Sequence, residues 1–251
     1  MIRKTFACLF LASLIGAAAS AQTADELVEK NIQARGGRDK IKAVQSIRLT
    51  GKMVINQAGQ TLEMPIVMEA ARPDKVRVDS TLQGMTMIQA YDGKTGWTVM
   101  PFMGKKDPEE VSGEQLKQIK EQADVIDGDL LDYKDKGNQV EYVGKEDLEG
   151  TPVHKLKVTR KDGQIVWVYL DAEQFLEVKQ KQTTKMPTGQ EIESESMMSD
   201  YKEVGGILFP HAMEMKAGPG TMSMTLEKIE LNPDLPASRF EMPKVEKKPA
   251  Q

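Results

Sequence analysis

The chain is poor in the residues that usually carry chemistry. It has one cysteine, two histidines and only 5% aromatic residues among 251. The cysteine, Cys8, lies in a segment expected to be removed, so the mature protein has no thiol and no disulfide and rests on its core alone. Cys8 also sits too early, among the wrong neighbours, to be lipidated after a lipoprotein leader. H-E-x-x-H, G-x-S-x-G and a phosphate-cradling glycine loop are all missing from the sequence. His154 and His211 are far apart, in strand-like stretches where a histidine is ordinarily a polar surface residue or a satisfied partial core residue. The carboxylate pairs Glu109-Glu110 and Glu193/Glu195 stand in charge-rich stretches and read as solvated faces. Nothing has metal-ligand spacing. Without a nucleophile–base pair, an enzyme acting on a lipid-like substrate is disfavoured. The expectation is a protein that is not an enzyme and has no cofactor and no metal.

An excess of positive charge is also missing. The formal net charge is −4. Removing a leader that holds Arg3 and Lys4 takes it from −4 to −6. A mildly acidic chain with few aromatics has no electrostatic footprint for nucleic acid. Long apolar runs are scarce too. The one at the start, MIRKTFACLFLASLIGAAASA, has a basic beginning, an apolar core from Phe6 to Ile15 that is too short to span a bilayer, and an Ala19-Ser20-Ala21 cleavage site. The expected organisation is a signal peptide over 1–21, one domain over 22–243 and a polar tail over 244–251. Export by a cleavable signal implies a soluble protein, and in a two-membrane bacterium the periplasm.

What is present is mostly strand. TADELVEKNIQARGG reads as one helix, capped by Thr23, with Asp25 and Glu26 at its positive end and a stripe of Leu27, Val28 and Ile32. RDKIKAVQ adds a short helical turn. The period then changes to two. Two strands flank Ala58-Gly59, two more cover 74–93, and QAYDGKTGWTVMPF forms a hairpin around Asp92-Gly93. The stretch DPEEVSGEQLKQIKEQADVIDGDLLDYKDKG holds the second helical signal, with Leu116, Ile119 and Lys120 on one face. From NQVEYVGKEDLEG onward seven strands follow at short, regular spacing. Such spacing argues for a large antiparallel sheet. Ten or more strands must curl, and the helices are the available cover for the inner face. The predicted fold is mainly β with a helical lid (α+β): a single strongly curved antiparallel sheet forming an incomplete barrel covered by helices.

Methionine is the unusual abundance, with 16 in the chain. Met85 and Met87, Met213 and Met215, and Met222 and Met224 recur at strand spacing, so each pair shares a face. Three readings stay open: ordinary core filling, thioether ligation of Cu(I), and an adaptable apolar groove. Scattered pairs without adjacent His or Cys count against copper.

The segment YDGKTGWTVMPF resembles the hairpin of the LolA family, periplasmic carriers of outer-membrane lipoproteins, through Asp92, Gly93, Lys94, Thr95, Trp97, Pro101 and Phe102. MEAARPDKVRVDS is similar to the family's Arg-Pro strand, with Arg72, Pro73, Val76 and Val78. VTRKDGQIVWVYLD is similar to its Asp-Gly hairpin. ASRFEMPKV is similar to its closing phrase, a Phe leading a short strand. These matches keep the family's order across nearly the whole mature chain. The resemblance implies an incomplete barrel with an apolar cavity for acyl chains. It also implies that Arg72 gates the lid by bonding lid-helix carbonyls. The cavity would be lined by Met53, Met68, Val76, Val78, Met85, Met87, Trp97, Met213, Met215, Met222 and Met224. The chain departs from the family in using methionines where the carriers use aromatics, and residues 104–137 do not align.

The function expected is a periplasmic carrier, most simply a monomer, that holds acyl chains of a lipoprotein or lipid. An inner-membrane donor and an outer-membrane acceptor protein are possible partners. The alternative is a module of the same shape that senses lipids or lipoproteins and reports to a partner protein.

Overall fold

The computed structural model describes residues 22–57, 59–185, 191–218 and 220–244. The expected signal peptide, residues 1–21, lies outside the described residues, as does all of the polar tail after Lys244.

Helix α1 (Ala24–Ala34) starts with a capping box. The Thr23 hydroxyl accepts from the Glu26 amide, and the Glu26 carboxylate accepts from the Thr23 amide, each at 3.2 Å. Its stripe of Leu27, Val28 and Ile32 is buried. The helix ends by docking on the sheet: the Leu208 amide donates to the Arg35 carbonyl at 2.8 Å. Gly36 makes this approach possible, because its φ is +126° and a Cβ there would stand 2.2 Å from the Gly206 carbonyl. Helix α2 (Arg38–Ala43) follows at once and buries Ile41.

Thirteen strands then form one antiparallel sheet: β1 (Ser46–Gln57), β2 (Gln60–Ala71), β3 (Lys75–Leu82), β4 (Met85–Tyr91), β5 (Gly96–Met100), β6 (Lys105–Val111), β7 (Gln139–Leu148), β8 (Thr151–Thr159), β9 (Ile165–Asp171), β10 (Glu177–Lys185), β11 (Glu191–Val204), β12 (Ile207–Ala217) and β13 (Gly220–Leu231). The spatial order is β6-β5-β4-β3-β2-β1-β13-β12-β11-β10-β9-β8-β7. The chain therefore starts at the centre, meanders out to one edge, and crosses to the other edge through helix α3 (Gly113–Gln122) and residues 123–138. It then meanders back, so that β13 lies beside β1. The two edges do not pair, and the curved sheet stays an open, incomplete barrel under a lid.

The lid differs from expectation in two ways. Residues Lys105–Val111, assigned in part to the helical signal, are the edge strand β6. Its sequence KKDPEEV shows no apolar alternation because an edge strand can leave most side chains in water, and Pro108 is tolerated where a backbone donor is not needed. The second helix is confined to Gly113–Gln122. Residues 123–137 are a 3-10 turn and further turns, yet they carry Ile126, Leu130 and Leu131 into the main core. Much of the cover is thus irregular chain.

Among the described residues, two apolar clusters lie on the inner face. The larger joins Leu27, Ile32 and Ile41 of the helices, the lid residues, Ile47 and Leu49 of β1, and Leu156, Val166, Val168 and Leu170 of β8 and β9. The smaller packs Ile119 and Leu116 of α3 on Val76, Tyr91 and Val111. Gly96 lets α3 approach, since a Cβ there would lie 2.5 Å from Leu116 Cδ1.

Candidate functional site: the inner face and its latch

Strand pairing decides which residues share the inner face. Ile47 and Leu49 belong to the main cluster, so alternate residues of β1, including Met53 and Ile55, point the same way. Met53 stands directly opposite Met64 of β2 on one side and Met224 of β13 on the other. Met224 faces Met213 of β12, and Met213 faces Met198 of β11. Five neighbouring strands thus place a methionine in one continuous row. A second row follows from Leu62 through Ile55 and Met222 to Met215. Directly opposed residues have Cβ atoms about 4.5–5.5 Å apart, so the side chains of a row touch or nearly touch.

The sequence reading found Met53, Met213, Met215, Met222 and Met224 but missed Met64 and Met198. Met64 was legible, four residues before Met68 on the same strand face. Met198 was not, because it adjoins Met197 and a one-residue slip exchanges their faces. The row is a floor rather than a sealed chamber. Met213 and Met224 pack against the main cluster, Met53, Met87, Met215 and Met222 are half-buried, and Met85 is 37% exposed. Leu62, Met85, Phe102 and Met103 are exposed near the hairpin tips at the end of β1–β5 away from α2.

Four expected lining residues need adjustment. Val76 is on the inner face but fully buried beneath α3, so it is core. Val78 and Met68 are half-buried and pack against the same cluster. Trp97 is on the wrong face. Its neighbour Thr98 pairs with Gln89, which pairs with Val78, so Trp97 itself points outward opposite Ala90. There it is buried by the segment after β13, and its Nε1–H donates to the Phe240 carbonyl at 2.8 Å. Phe240 ends a 3-10 turn at Ala237–Arg239 rather than leading a short strand. Around it, Arg239 pairs with Glu69 and Asp79, and Arg48 pairs with Glu69, all on the outer face.

Arg72 holds the lid end together. Its Nε–H donates to the Val44 carbonyl at 2.7 Å and Nη2 to the Ile41 carbonyl at 3.4 Å, both at the end of α2, where the Ile41 carbonyl also accepts from the Val44 amide. Its other edge takes both carboxylate oxygens of Asp127 in the lid, one at 2.7 Å. Hydrogen bonding to Asp127 raises the guanidinium pKa above its ordinary range. The family resemblance implied carbonyls of a lid helix; the carbonyls Arg72 meets belong to the end of α2. Asp127 was not expected, since its segment did not align. Arg35 reinforces the latch by donating to the carbonyls of Asp127 at 2.9 Å and Ile126 at 2.8 Å. Arg160 forks onto Asp129 at 2.7 and 2.9 Å. Asp132 accepts from Arg38, and from Lys42 at 2.6 Å. Those bonds, Lys42 first, lower the Asp132 pKa. A cleft of about 980 Å³ opens between α3, the lid segment and the β8–β9 turn, lined by Pro73, Leu116, Lys120, Asp124 and Arg160 among others.

Both histidines are satisfied core residues. His154 is stacked on Phe175, with Nδ1 3.1 Å from the Tyr142 hydroxyl, and burial lowers its pKa. His211 Nδ1 lies 3.1 Å from the Phe209 carbonyl. No group of three or more His, Cys, Asp or Glu suited to a metal occurs among the described residues.

An open, strongly curved antiparallel sheet with a lid across its inner face defines the LolA-like fold. The same fold appears in a LolA superfamily protein from Nitrosomonas europaea, with a TM-score of 0.61 at 15% identity, covering 88% of this chain and 98% of that one. A putative outer membrane lipoprotein-sorting protein domain from Vibrio parahaemolyticus matches with a TM-score of 0.57 at 14% identity, over 86% and 95% of the two chains. A DUF1329 family protein from Desulfovibrio piger matches at 0.59 and 11% identity, over 87% and 97%. No protein-family model and no curated protein matches the sequence.

Proposed function

We propose that the protein is a periplasmic carrier that holds acyl chains of a lipoprotein or lipid on the methionine floor, beneath a lid that lifts to admit them. The observation that carries this reading is the row from Met64 through Met53, Met224 and Met213 to Met198, continuous with the core under the lid. Methionine has an unbranched, polarisable side chain that repacks around varied apolar shapes, which suits a surface that must be filled by itself when empty and by cargo when loaded. The lid supplies the moving part: its buried Ile126, Leu130 and Leu131 occupy space that chains would take, and ion pairs and hydrogen bonds add to this apolar packing in holding it to the body. The fold is shared with a lipoprotein-sorting protein domain, which supports the cargo class. Transfer between an inner-membrane donor and an outer-membrane acceptor follows from this reading, as does action as a binder rather than a catalyst.

The test is native mass spectrometry of the protein purified from its own periplasm. A co-purifying lipid or acylated protein is expected. A ligand-free protein that also fails to bind an apolar dye displaceable by detergent would sink the reading.

A further inference from the structure

The lid segment imitates an amphiphile. Ile126, Leu130 and Leu131 fill apolar space on the inner face, as hydrocarbon would. Between and beside them, Asp127 and Asp129 present carboxylates to two guanidinium groups of the body, Arg72 and Arg160, each through a two-point fork. A fork of this kind fits a carboxylate or a phosphate equally well.

Resting on the acyl-chain reading, we propose that the preferred ligand is an anionic amphiphile whose acid head replaces Asp127 on Arg72 as its chain displaces the lid.

Arg72 is the exchangeable member of the two. The two guanidinium side chains are similarly exposed, at 25% for Arg72 and 22% for Arg160, but Asp127 is 15% exposed against 8% for Asp129. Arg160 is further tied to the Gln164 side chain at 2.9 Å and stands 3.6 Å from Glu121. Arg160 and Asp129 line the 980 Å³ cleft themselves, and Arg72 borders it through its neighbour Pro73. Its bonds to the Val44 and Ile41 carbonyls do not involve the lid, so the guanidinium stays aimed when Asp127 leaves.

The specificity follows from what is left behind. A neutral amphiphile that lifts the lid strips a partly buried cation of its carboxylate. An acid head group restores the pair, so the exchange at Arg72 is nearly even. Hydrogen bonds to charged groups are strong enough for this difference to reach about tenfold in affinity or more.

The experiment compares dodecanoate with dodecan-1-ol at neutral pH, both below their aggregation limits, by displacement of a bound apolar dye from the mature chain. Dodecanoate is expected to bind at least about tenfold tighter. Asp127→Asn frees Arg72 and should tighten both ligands while keeping their ratio. Arg72→Gln should bring the ratio close to one, and Arg72→Lys should leave it in between, since lysine keeps the charge but lacks the fork. Circular dichroism identifies any variant that fails to fold. Equal binding of acid and alcohol by the parent overturns the proposal and leaves the acyl-chain reading standing. A ratio that survives Arg72→Gln in a folded protein overturns it as well. Failure of both ligands to bind overturns the acyl-chain reading, and this inference with it.

Discussion

The indole Nε1–H of Trp97 donates to the main-chain carbonyl of Phe240, 143 residues further along, on the face of the sheet opposite the methionines. Phe240 is itself fully buried. The segment after β13 therefore straps the outer face of β2–β5. Phe240→Ala removes a large buried ring and should cost about 3–5 kcal/mol. Denaturant unfolding measures the loss, and the Trp97 environment should become more polar in fluorescence. A change below about 1 kcal/mol, with an unshifted emission, would show that the strap contributes little.

Arg72→Leu removes the forked pair with Asp127 and the bonds to α2. Charge-assisted bonds contribute about 1.5–3 kcal/mol each, so the lid equilibrium should move toward opening by about tenfold or more. The variant should load a fluorescent acyl ligand as well as the parent and release it poorly to acceptor vesicles. Loading and release at parental rates would remove Arg72 from the gate.

Met215 and Met222 face each other in the second row and are half-buried, so they tolerate substitution better than the packed Met213 and Met224. Replacing both with Glu should abolish displacement of an apolar dye by fatty acid while the circular dichroism spectrum is unchanged. Replacing both with Leu keeps volume and apolarity and should cost less than about 1.5 kcal/mol of stability with binding preserved. If the Glu pair binds fatty acid like the parent, the floor is not the binding surface.

Glu177 has its pKa raised by burial, against a lowering influence from Arg35 and a hydrogen bond donated by Gln180 at 2.8 Å. A folded-state value above the unfolded 4.5 means the folded protein binds more protons. Stability from this group is therefore greatest below the unfolded value, falls as pH rises through the window up to the raised folded value, and stays low at neutral pH. Glu177→Gln should raise the melting temperature at neutral pH, and the gain should fade as pH drops below the ordinary carboxylate value. Thermal scans across that range check the sign. A neutral-pH loss would mean that Arg35 and Gln180 outweigh burial.

Much of the fold could be read locally. The Thr23 cap and the Leu27, Val28, Ile32 stripe determined α1, and the period of two between turn signals such as Asp92-Gly93 and Asp162-Gly163 determined most strands. Both are short-range effects: a helix face and a strand face are set by backbone geometry a few residues at a time. Arg72 was legible as a partner of helix-end carbonyls, through resemblance and through the chemistry of its donor fork. The methionine pairs were legible as sharing a face, because residues two apart on a strand always do.

Tertiary structure decided what lies next to what. The row from Met64 to Met198 exists because β13 returns beside β1 in a register that puts Met224 opposite Met53, a pairing across 171 residues of chain that no local pattern encodes. Parity alone placed Trp97 outside, since one residue of slip exchanges the faces of a strand. Strand β6 was hidden because an edge strand needs no apolar alternation. Residues 123–137 were hidden for the opposite reason. Their conformation is held by contacts made elsewhere, from Arg35, Arg72 and Arg160 to Asp127, Asp129 and nearby carbonyls, and irregular chain that is fixed only by distant partners carries no period of its own.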